Sequence, residues 1–269
     1  MGPIGPMGPA SARTGDGALA SGRTESTSFS RREVQIWRVW LSTTDSALGY
    51  YRAALCLDEL NRAERFRFEN LKRSYIVSRG GLRVLLSHYL GCNPREIEFV
   101  CGQNGKPALR GMSPVRFNVS HSGDLALYAF TLDCELGVDV ERLRELDDLE
   151  SIASRFFCAA EASELLSLRP EDRRSAFFRC WTRKEAYVKA VGDGLSIPLD
   201  RFQVTLLPED PCRFVHVAGD SRAALAWTLH DLELAPEYIG ALAYQDSPRP
   251  TTIHPAVRAE QLLAIVGSA

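Results

Sequence analysis

Short stretches of alternating apolar and polar residues and longer stretches with a helical period divide the chain into predicted strands and helices. Residues 34–41 (V-Q-I-W-R-V-W-L) alternate as a strand does. Further strands are predicted at 115–119, 125–131, 136–140, 202–207, 222–229 and 238–244. Helices are predicted at 54–69, 73–90, 149–157, 160–166 and 173–191. Because strands and helices occur in mixed groups, the pattern favours layered α+β architecture over a doubly wound parallel sheet.

Residues 1–30 have a different composition from the rest of the chain. They contain three G-P-x triplets, followed by a stretch rich in Ser, Thr, Gly and Arg. They lack the apolar segment of a signal peptide. We predict a disordered N-terminal tail over 1–30, because such a segment buries too little apolar surface to fold.

Overall composition argues against nucleic-acid binding, membrane binding and a zinc or disulfide framework. The formal net charge is -2, which gives no general reason to expect binding to nucleic acid or to a membrane surface. No apolar run approaches the length of a membrane span. The seven cysteines contain no C-x-x-C pair and the five histidines are dispersed, so neither a zinc site nor a disulfide framework is indicated. We therefore expect a reducing, cytoplasmic setting.

The stretch Leu136-Gly-Val-Asp-Val-Glu141 places two acids at the end of a predicted strand. The two-residue period puts Asp139 and Glu141 on one face. Two carboxylates on one face repel each other unless a cation lies between them, and Mg²⁺ prefers such oxygen donors. A solvated strand end is the alternative interpretation.

Two polar segments precede these acids. Residues 117–123 (F-N-V-S-H-S-G) supply an amide, two hydroxyls and an imidazole, a set that suits phosphate binding. An ordinary hairpin is the alternative. Residues 103–108 (Q-N-G-K-P-A) are a predicted turn from which Lys106 projects.

A helical segment and a basic segment add charged groups. In Cys180–Ala190 (C-W-T-R-K-E-A-Y-V-K-A), Glu185 and Lys189 share a helix face with Trp181. An exposed salt bridge is the alternative interpretation. Residues 62–83 form a basic strip with interleaved aromatics. This strip fits a solvated helix face, a nucleic-acid contact or a grip on an anionic small ligand.

Six motifs together resemble the Sfp-type 4′-phosphopantetheinyl transferases. They are G-K-P (105–107), F-N-V-S-H-S (117–122), G-V-D-V-E (137–141), R-F-F-x-x-x-E (155–161), W-T-R-K-E-A-Y-V-K-A (181–190) and G-D-G-L-S-I-P-L-D-R-F (192–202). Each motif is weak by itself, but all six stand in the family's order at compatible spacing. The resemblance covers about residues 34–245.

The resemblance implies an activity and a fold. Enzymes of this family move the 4′-phosphopantetheine arm of coenzyme A to a serine of an acyl or peptidyl carrier protein and release 3′,5′-ADP. Mg²⁺ is the implied cofactor, and Mn²⁺ can substitute. The implied fold is two similar α/β halves with the active site in the cleft between them. We assign the N-terminal half to 31–136 and the C-terminal half to 137–262, and expect a monomer because one chain carries both.

The resemblance also implies site residues. The implied metal ligands are Asp139, Glu141 and Glu185. Coenzyme A contacts fall on Lys106, Pro107, Ser120 and His121, with His121 near the 3′-phosphate together with Arg62 or another basic residue of its segment. The lysines expected to face the pyrophosphate are Lys184 and Lys189. The catalytic residues that the resemblance implies are Glu185, Lys189 and Asp139. Glu185 would take the proton of the carrier serine directly or through water.

Two rival functions fit parts of the same pattern. One is a coenzyme A sensor that binds without chemistry, and the other is a Mg²⁺-dependent phosphohydrolase of small anhydrides. Intact Asp139, Glu141, Glu185 and Lys189 argue against the sensor, because binding alone needs no base. The residues leave open which carrier proteins are served.

Overall fold

A computed structural model describes residues 30, 32–102, 104–192, 194 and 197–266. The predicted disordered tail lies outside these residues except for Ser30. Gln103 of the 103–108 segment and Asp193, Leu195 and Ser196 of the 192–202 motif also lie outside them. The described chain is a mixture of helices and several sheets. The predicted α+β class is therefore confirmed.

The first part of the chain builds a main sheet covered by helices and a separate two-stranded sheet of β2 and β3. Its elements are β1 (Val34–Trp40), α1 (Asp45–Ala54), α2 (Leu57–Ala63), α3 (Glu69–Leu90), β2 (Phe99–Cys101), β3 (Pro107–Leu109), β4 (Val115–Ser122) and β5 (Leu125–Leu132). β5 pairs antiparallel with both β1 and β4. The apolar face of α3, including Val77 and Leu85, packs with Trp37, Tyr128 and Phe130 of the sheet.

The second part repeats this order of elements. It contains β6 (Leu136–Arg142), α4 (Leu149–Phe156), α5 (Ala159–Ser167), α6 (Pro170–Val191), β7 (Phe202–Val204), β8 (Phe214–Val217), the short α7 (Ser221–Ala224), β9 (Thr228–Leu232) and β10 (Tyr238–Tyr244). β10 pairs antiparallel with both β6 and β9, as β5 does with β1 and β4. In each part, a strand, three helices and a small antiparallel pair precede the last two strands. This repeated order supports the predicted two similar halves.

A third apolar cluster joins the two sheets. Ile36, Leu125 and Leu127 of the first sheet pack with Val138 and Leu242 of the second. The described chain consequently has continuous packing between its two parts, which fixes the position of β6 relative to β4.

The end of the described chain returns to the first sheet. β11 (Thr251–Ile253) and β12 (Val257–Arg258) pair parallel with β1. The following α8 (Ala259–Val266) packs beside α3, and the Tyr51 hydroxyl donates to the Ala259 carbonyl oxygen at 2.7 Å. Residues 251–262, which the prediction assigned to the C-terminal half, thus lie against the N-terminal elements.

Three sequence predictions differ from the structure. The helix predicted over 54–69 is interrupted, because Leu55 and Cys56 are extended and the Glu59 carboxylate caps a new helix by accepting from the Cys56 amide at 3.0 Å. The strand predicted over 222–229 begins as the helical turn α7, which the Asp220 side chain caps by accepting from the Arg222 amide. Elements that were not predicted at all are the helices α1 and α8 and the short strands β2, β3, β8, β11 and β12. Among the described helices, none is long and apolar enough to cross a bilayer.

Candidate active site

Strand β6 presents the two acids of the G-V-D-V-E motif on one face. Val138 and Val140 pack into the cluster between the sheets, so the two-residue alternation turns Asp139 and Glu141 the other way. Helix α6 lies directly on this strand at Gly137, where a Cβ would collide with the backbone of Ala186. The close approach brings the charged residues of α6 to the acids of β6.

A ladder of side chains from β4 holds β6 in place. Both are edge strands of their own sheets, and an edge strand carries unpaired amides. Asn118 Oδ1 accepts from the Val138 amide at 2.9 Å, and Ser120 Oγ accepts from the Val140 amide at 3.4 Å. Ser122 Oγ accepts from the Arg142 amide at 3.0 Å. Alternate side chains of one strand therefore take the place of the carbonyl groups of a neighbouring strand.

The same hydroxyls hold the two acids. Ser120 Oγ donates to Asp139 Oδ1 at 2.8 Å, and Ser122 Oγ donates to Glu141 Oε2 at 2.9 Å. A basic side chain contacts each of these oxygens as well: Lys189 Nζ lies 2.6 Å from Asp139 Oδ1, and Arg144 Nη1 lies 2.9 Å from Glu141 Oε2. One carboxylate oxygen of each acid therefore has two partners, a serine hydroxyl and a basic side chain.

The second oxygen of Asp139 is left for another partner. Asp139 is 4% exposed, and its Oδ2 is buried without a hydrogen bond to any described residue. Burial raises the pKa of Asp139, and Lys189 and Ser120 act in the opposite direction. A buried carboxylate oxygen without a partner is unfavourable by about 1–3 kcal/mol, so Oδ2 of Asp139 is a candidate ligand for a cation.

Helix α6 supplies Glu185 and Lys189 to the same place. They are one helical turn apart and share a face, and Lys189 Nζ also donates to Ser120 Oγ at 2.9 Å. Glu185 is half-buried. Burial, then the nearby Asp139 carboxylate, raises the pKa of Glu185, while Lys189 opposes this change. A carboxylate with a raised pKa is a stronger base than one in water.

A cavity of about 250 Å³ opens beside these groups. Its walls come from the turn before β3, from β4 and from the end of α6, including Lys106, Pro107, Asn118, Glu185 and Lys189. The Lys106 ammonium turns toward protein and donates to Glu135 Oε2 at 2.7 Å and to the Ala190 carbonyl at 3.0 Å. Lys106 therefore fastens the turn to α6, and its predicted contact with coenzyme A stays a prediction.

His121 lies at the rim of this region. It follows Ser120 on β4, points to the opposite face of the strand and is exposed. Desolvation by the surrounding protein, then the Lys189 ammonium, lowers the pKa of His121, and Glu141 opposes this change. The neutral form of the imidazole is therefore favoured more than it is in water.

The donor set fits a hard divalent cation. In the part of the chain that the structure describes, no three His, Cys, Asp or Glu side chains are already arranged as a metal site. The carboxylates of Asp139, Glu141 and Glu185 are nonetheless the oxygen donors that Mg²⁺ prefers. The unpartnered Oδ2 of Asp139 is consistent with a cation at this point.

Comparison with known proteins identifies the family. A family profile described as 4′-phosphopantetheinyl transferase superfamily matches residues 135–243, and one described as 4′-phosphopantetheinyl transferase, N-terminal, matches residues 39–132. The 4′-phosphopantetheinyl transferase HetI of Nostoc sp. is 41% identical over 208 residues, which is 76% of this chain and 84% of HetI. This chain belongs to the 4′-phosphopantetheinyl transferase family.

Two other relatives match over shorter stretches. The 4′-phosphopantetheinyl transferase Sfp of Bacillus subtilis is 35% identical over 125 residues, 46% of this chain and 54% of Sfp. AcpT of Salmonella typhimurium, also named as a 4′-phosphopantetheinyl transferase, is 44% identical over 110 residues, 41% of this chain and 56% of AcpT. The predicted family and enzyme class are confirmed.

One predicted site residue of the transferase lies elsewhere. Lys184 was expected to face the pyrophosphate, but it is 0% exposed and its Nζ lies 2.7 Å from Glu161 Oε2. It also donates to the carbonyl oxygens of Leu199 and Phe202, each at 2.7 Å. The physical reason is helix geometry: adjacent residues point about 100° apart, so Lys184 turns into the core where Glu185 turns to the site.

Arg62 of the transferase lies in a different cavity. It is exposed on α2, with its guanidinium 5.5 Å from the ring centroid of Tyr75. This cavity is lined by Asp58, Asn61, Arg62, Arg65 and Phe66, and shares none of these residues with the cavity at Glu185. The structure does not bring Arg62 into contact with the other site residues, and its predicted role stays a prediction.

The sequence interpretation missed two residues that touch β6. Asn118 fell in the predicted strand 115–119 and Ser122 in the polar turn after it, and neither was given a contact with β6; in the structure β4 continues to Ser122. The signal was present in the alternation N-x-S-x-S, which places three polar side chains on one face of a strand. Polar side chains on one face of an edge strand suggest hydrogen-bond partners on a neighbouring element.

Proposed function

We propose that this transferase moves the 4′-phosphopantetheine arm of coenzyme A to a serine hydroxyl of acyl or peptidyl carrier proteins and releases 3′,5′-ADP. The observation that carries the proposal is the buried, half-satisfied Asp139 carboxylate on β6, which lies beside Glu185 and Lys189 of α6. Asp139 Oδ2 lacks a hydrogen bond from the described residues although it is buried. Such an arrangement suits a divalent cation next to a phosphate group.

The proposed cofactor is Mg²⁺, with Mn²⁺ as a substitute. Asp139, Glu141 and Glu185 would hold it. Besides burial, the Asp139 and Glu141 carboxylates both raise the pKa of Glu185, so the three acids lie near one another. When bound, the ion supplies neutralisation of charge on the reacting phosphates. No other step of the proposal is assigned to it.

The reaction is a displacement at phosphorus. The serine oxygen forms a bond to the phosphorus nearest pantetheine, and the bond from that phosphorus to the bridging oxygen breaks. The electron pair leaves with 3′,5′-ADP. Glu185 accepts the serine proton directly or through one water, and its raised pKa makes it a better base near neutral pH.

Two further side chains, Lys189 and His121, position coenzyme A. Lys189 reaches Asp139 and Ser120 in the metal-free protein and provides a positive charge beside the proposed pyrophosphate position. His121, whose pKa is lowered in the free protein, gains a proton when a phosphate group lies next to it. We propose that this phosphate is the 3′-phosphate of coenzyme A.

Partners and setting complete the proposal. The chain carries the repeated set of elements within itself, which supports a monomer. All seven cysteines are free thiols, which supports a reducing, cytoplasmic setting. These residues do not specify which carrier proteins are modified.

A mass-spectrometric assay tests the function. The transferase is incubated with coenzyme A and Mg²⁺, with and without an apo carrier protein. We expect the carrier to gain the mass of phosphopantetheine and 3′,5′-ADP to appear only when the carrier is present. Release of 3′,5′-ADP without carrier would identify a phosphohydrolase instead. Binding of coenzyme A without any release would identify a sensor.

A further inference from the structure

Ser122 is a small hydroxyl residue at the end of β4 whose two hydrogen bonds leave it a single orientation. Its Oγ accepts from the Arg142 amide at 3.0 Å and donates to Glu141 Oε2 at 2.9 Å. A serine hydroxyl has one proton. Because the amide can only donate, that proton is committed to Glu141.

This geometry fixes the carboxylate relative to its own backbone. Ser122 binds the amide of the residue that directly follows Glu141, so one hydroxyl bridges the Glu141 side chain and the adjacent main chain. Glutamate has three rotatable side-chain bonds, and a fixed anchor on Oε2 removes most of its freedom. The other oxygen, Oε1, is thereby presented in one direction.

Arg144 alone does not supply this anchor. Its guanidinium also contacts Glu141 Oε2 at 2.9 Å, but its side chain is 55% exposed. Exposed ion pairs are weak because water screens them and two long side chains must be ordered. Without Ser122, the Glu141 carboxylate could turn toward solvent while it stays paired with the exposed Arg144 side chain.

The pattern is repeated one step along the ladder. Ser120 stands to Asp139 and the Val140 amide as Ser122 stands to Glu141 and the Arg142 amide. Both serine-to-acid bonds join residues 19 apart, and both serine-to-amide bonds join residues 20 apart. Ser120 also accepts from the Lys189 ammonium, so a substitution at Ser120 would disturb Lys189 as well as Asp139. Ser122 is therefore the clearer test of the pattern.

We infer that Ser122 is a positioning residue for the transferase: it holds Oε2 of Glu141 so that Oε1 is available to the metal. The inference rests on the proposed metal role of Glu141. It assigns Ser122 no contact with coenzyme A or with the reacting atoms. The Ser122 hydroxyl binds both the Arg142 amide of β6 and the Glu141 carboxylate. The contact between β4 and β6 is therefore also part of the proposed metal site.

Direct metal binding tests the inference without relying on turnover. Mn²⁺ alone is titrated into the full-length protein, without coenzyme A or carrier, and free Mn²⁺ is followed by electron paramagnetic resonance. The variants are Ser122→Ala, Ser122→Thr and Glu141→Ala. Ser87→Ala is the matched control, since Ser87 is another half-buried serine that donates one hydrogen bond, to the Cys92 carbonyl, away from the site.

We expect Ser122→Ala to weaken Mn²⁺ binding about tenfold, the low end of the effect of groups that orient metal ligands. Threonine keeps the hydroxyl and suits a strand, so Ser122→Thr should restore binding to within about threefold. Ser87→Ala should bind as the wild type does. In transfer assays, Ser122→Ala should require more Mg²⁺ for half-maximal rate at an unchanged KM for coenzyme A.

Each contrary result has a distinct meaning. If Glu141→Ala loses Mn²⁺ but Ser122→Ala binds normally, the positioning role is wrong while the metal proposal stands. A Ser122→Ala protein with a lowered unfolding temperature and normal Mn²⁺ binding would reduce Ser122 to a structural contact. If the wild type binds no Mn²⁺ beyond that bound by Glu141→Ala, both the metal proposal and this inference fail.

Discussion

Lys184→Met removes an ammonium group from a position closed to solvent. The native side chain is 0% exposed, and its Nζ contacts Glu161 Oε2 and the carbonyl oxygens of Leu199 and Phe202, each at 2.7 Å. Methionine has nearly the same length but no hydrogen-bond donor. The substitution therefore leaves three acceptors without their common partner, and one of them is a buried carboxylate.

The expected loss of stability is large. Breaking a buried ion pair by removing one partner costs about 3–5 kcal/mol. Glu161 keeps its bonds from the Cys158 amide at 3.0 Å and the Val204 amide at 2.8 Å, so we expect the low end, about 3 kcal/mol. For a chain of this size, that corresponds to a fall of about 6–12 °C in Tm.

Urea unfolding and coenzyme A titration separate a structural role from a binding role. Lys184→Met should shift the unfolding midpoint strongly, while the fraction that remains folded binds coenzyme A within about twofold of wild type, because Lys184 does not reach the cavity. Lys189→Met is the matched control on the same helix. The Lys189 side chain is 29% exposed, so this variant should lose less stability and far more coenzyme A affinity.

The opposite pattern would refute this reasoning. If Lys184→Met unfolds at the wild-type urea concentration and binds coenzyme A tenfold more weakly, Lys184 faces the phosphates as the family resemblance implied. Equal behaviour of Lys184→Met and Lys189→Met would remove the distinction between the two helix faces.

Four further predictions concern the site itself. Asp139→Asn should lower the transfer rate at least 100-fold, the lower part of the range for loss of a group that stabilises charge in the reaction, with the fold retained by circular dichroism; wild-type turnover at ordinary Mg²⁺ would exclude the metal role. Glu185→Gln should lose most activity, and a Mn²⁺ titration should restore it only in part if this residue is both ligand and base; full recovery would leave only the ligand role. Because its pKa is lowered in the free protein, His121 must gain a proton to pair with a phosphate, so the preference for coenzyme A over dephospho-coenzyme A should grow as pH falls from about 8 to about 6.5. In His121→Ala this pH dependence should disappear, and its persistence in calorimetry would place the phosphate elsewhere. Gly137→Ala should destabilise the protein by about 1–3 kcal/mol by overpacking, since a Cβ there collides with the backbone of α6, whereas Gly49→Ala, which meets nothing within 4 Å, should be neutral or stabilising in thermal unfolding.

Local patterns in the sequence predicted the parts of the site that depend on one element. The alternation around 136–140 predicted β6 and the common face of Asp139 and Glu141. The helical period predicted α6 and the pairing of Glu185 with Lys189 on one side. These inferences need only the geometry of a single strand or helix.

The relations between distant elements could not be predicted in the same way. The spacing of α6 places Lys184 and Glu185 on different faces, but it does not say which face is buried until α5 and β7 are packed against the helix. The ladder from β4 to β6 joins edge strands of two sheets through side chains, so no backbone pairing rule predicts it. Strands of two or three residues such as β12 and β11 are too short to show a period.

The parallel pairing of β11 and β12 with β1 has a consequence for how the chain folds during synthesis. Domains generally fold as they leave the ribosome, N-terminal part first. Here β1 lies between β5 and β11, and Trp37 of β1 stacks on His254 with the ring centroids 3.8 Å apart. A nascent chain that has not yet reached residue 251 therefore carries an open edge along β1, and open strand edges favour aggregation. The first sheet can therefore be completed only after residues 251–258 have been synthesised, and these follow every strand of the second sheet.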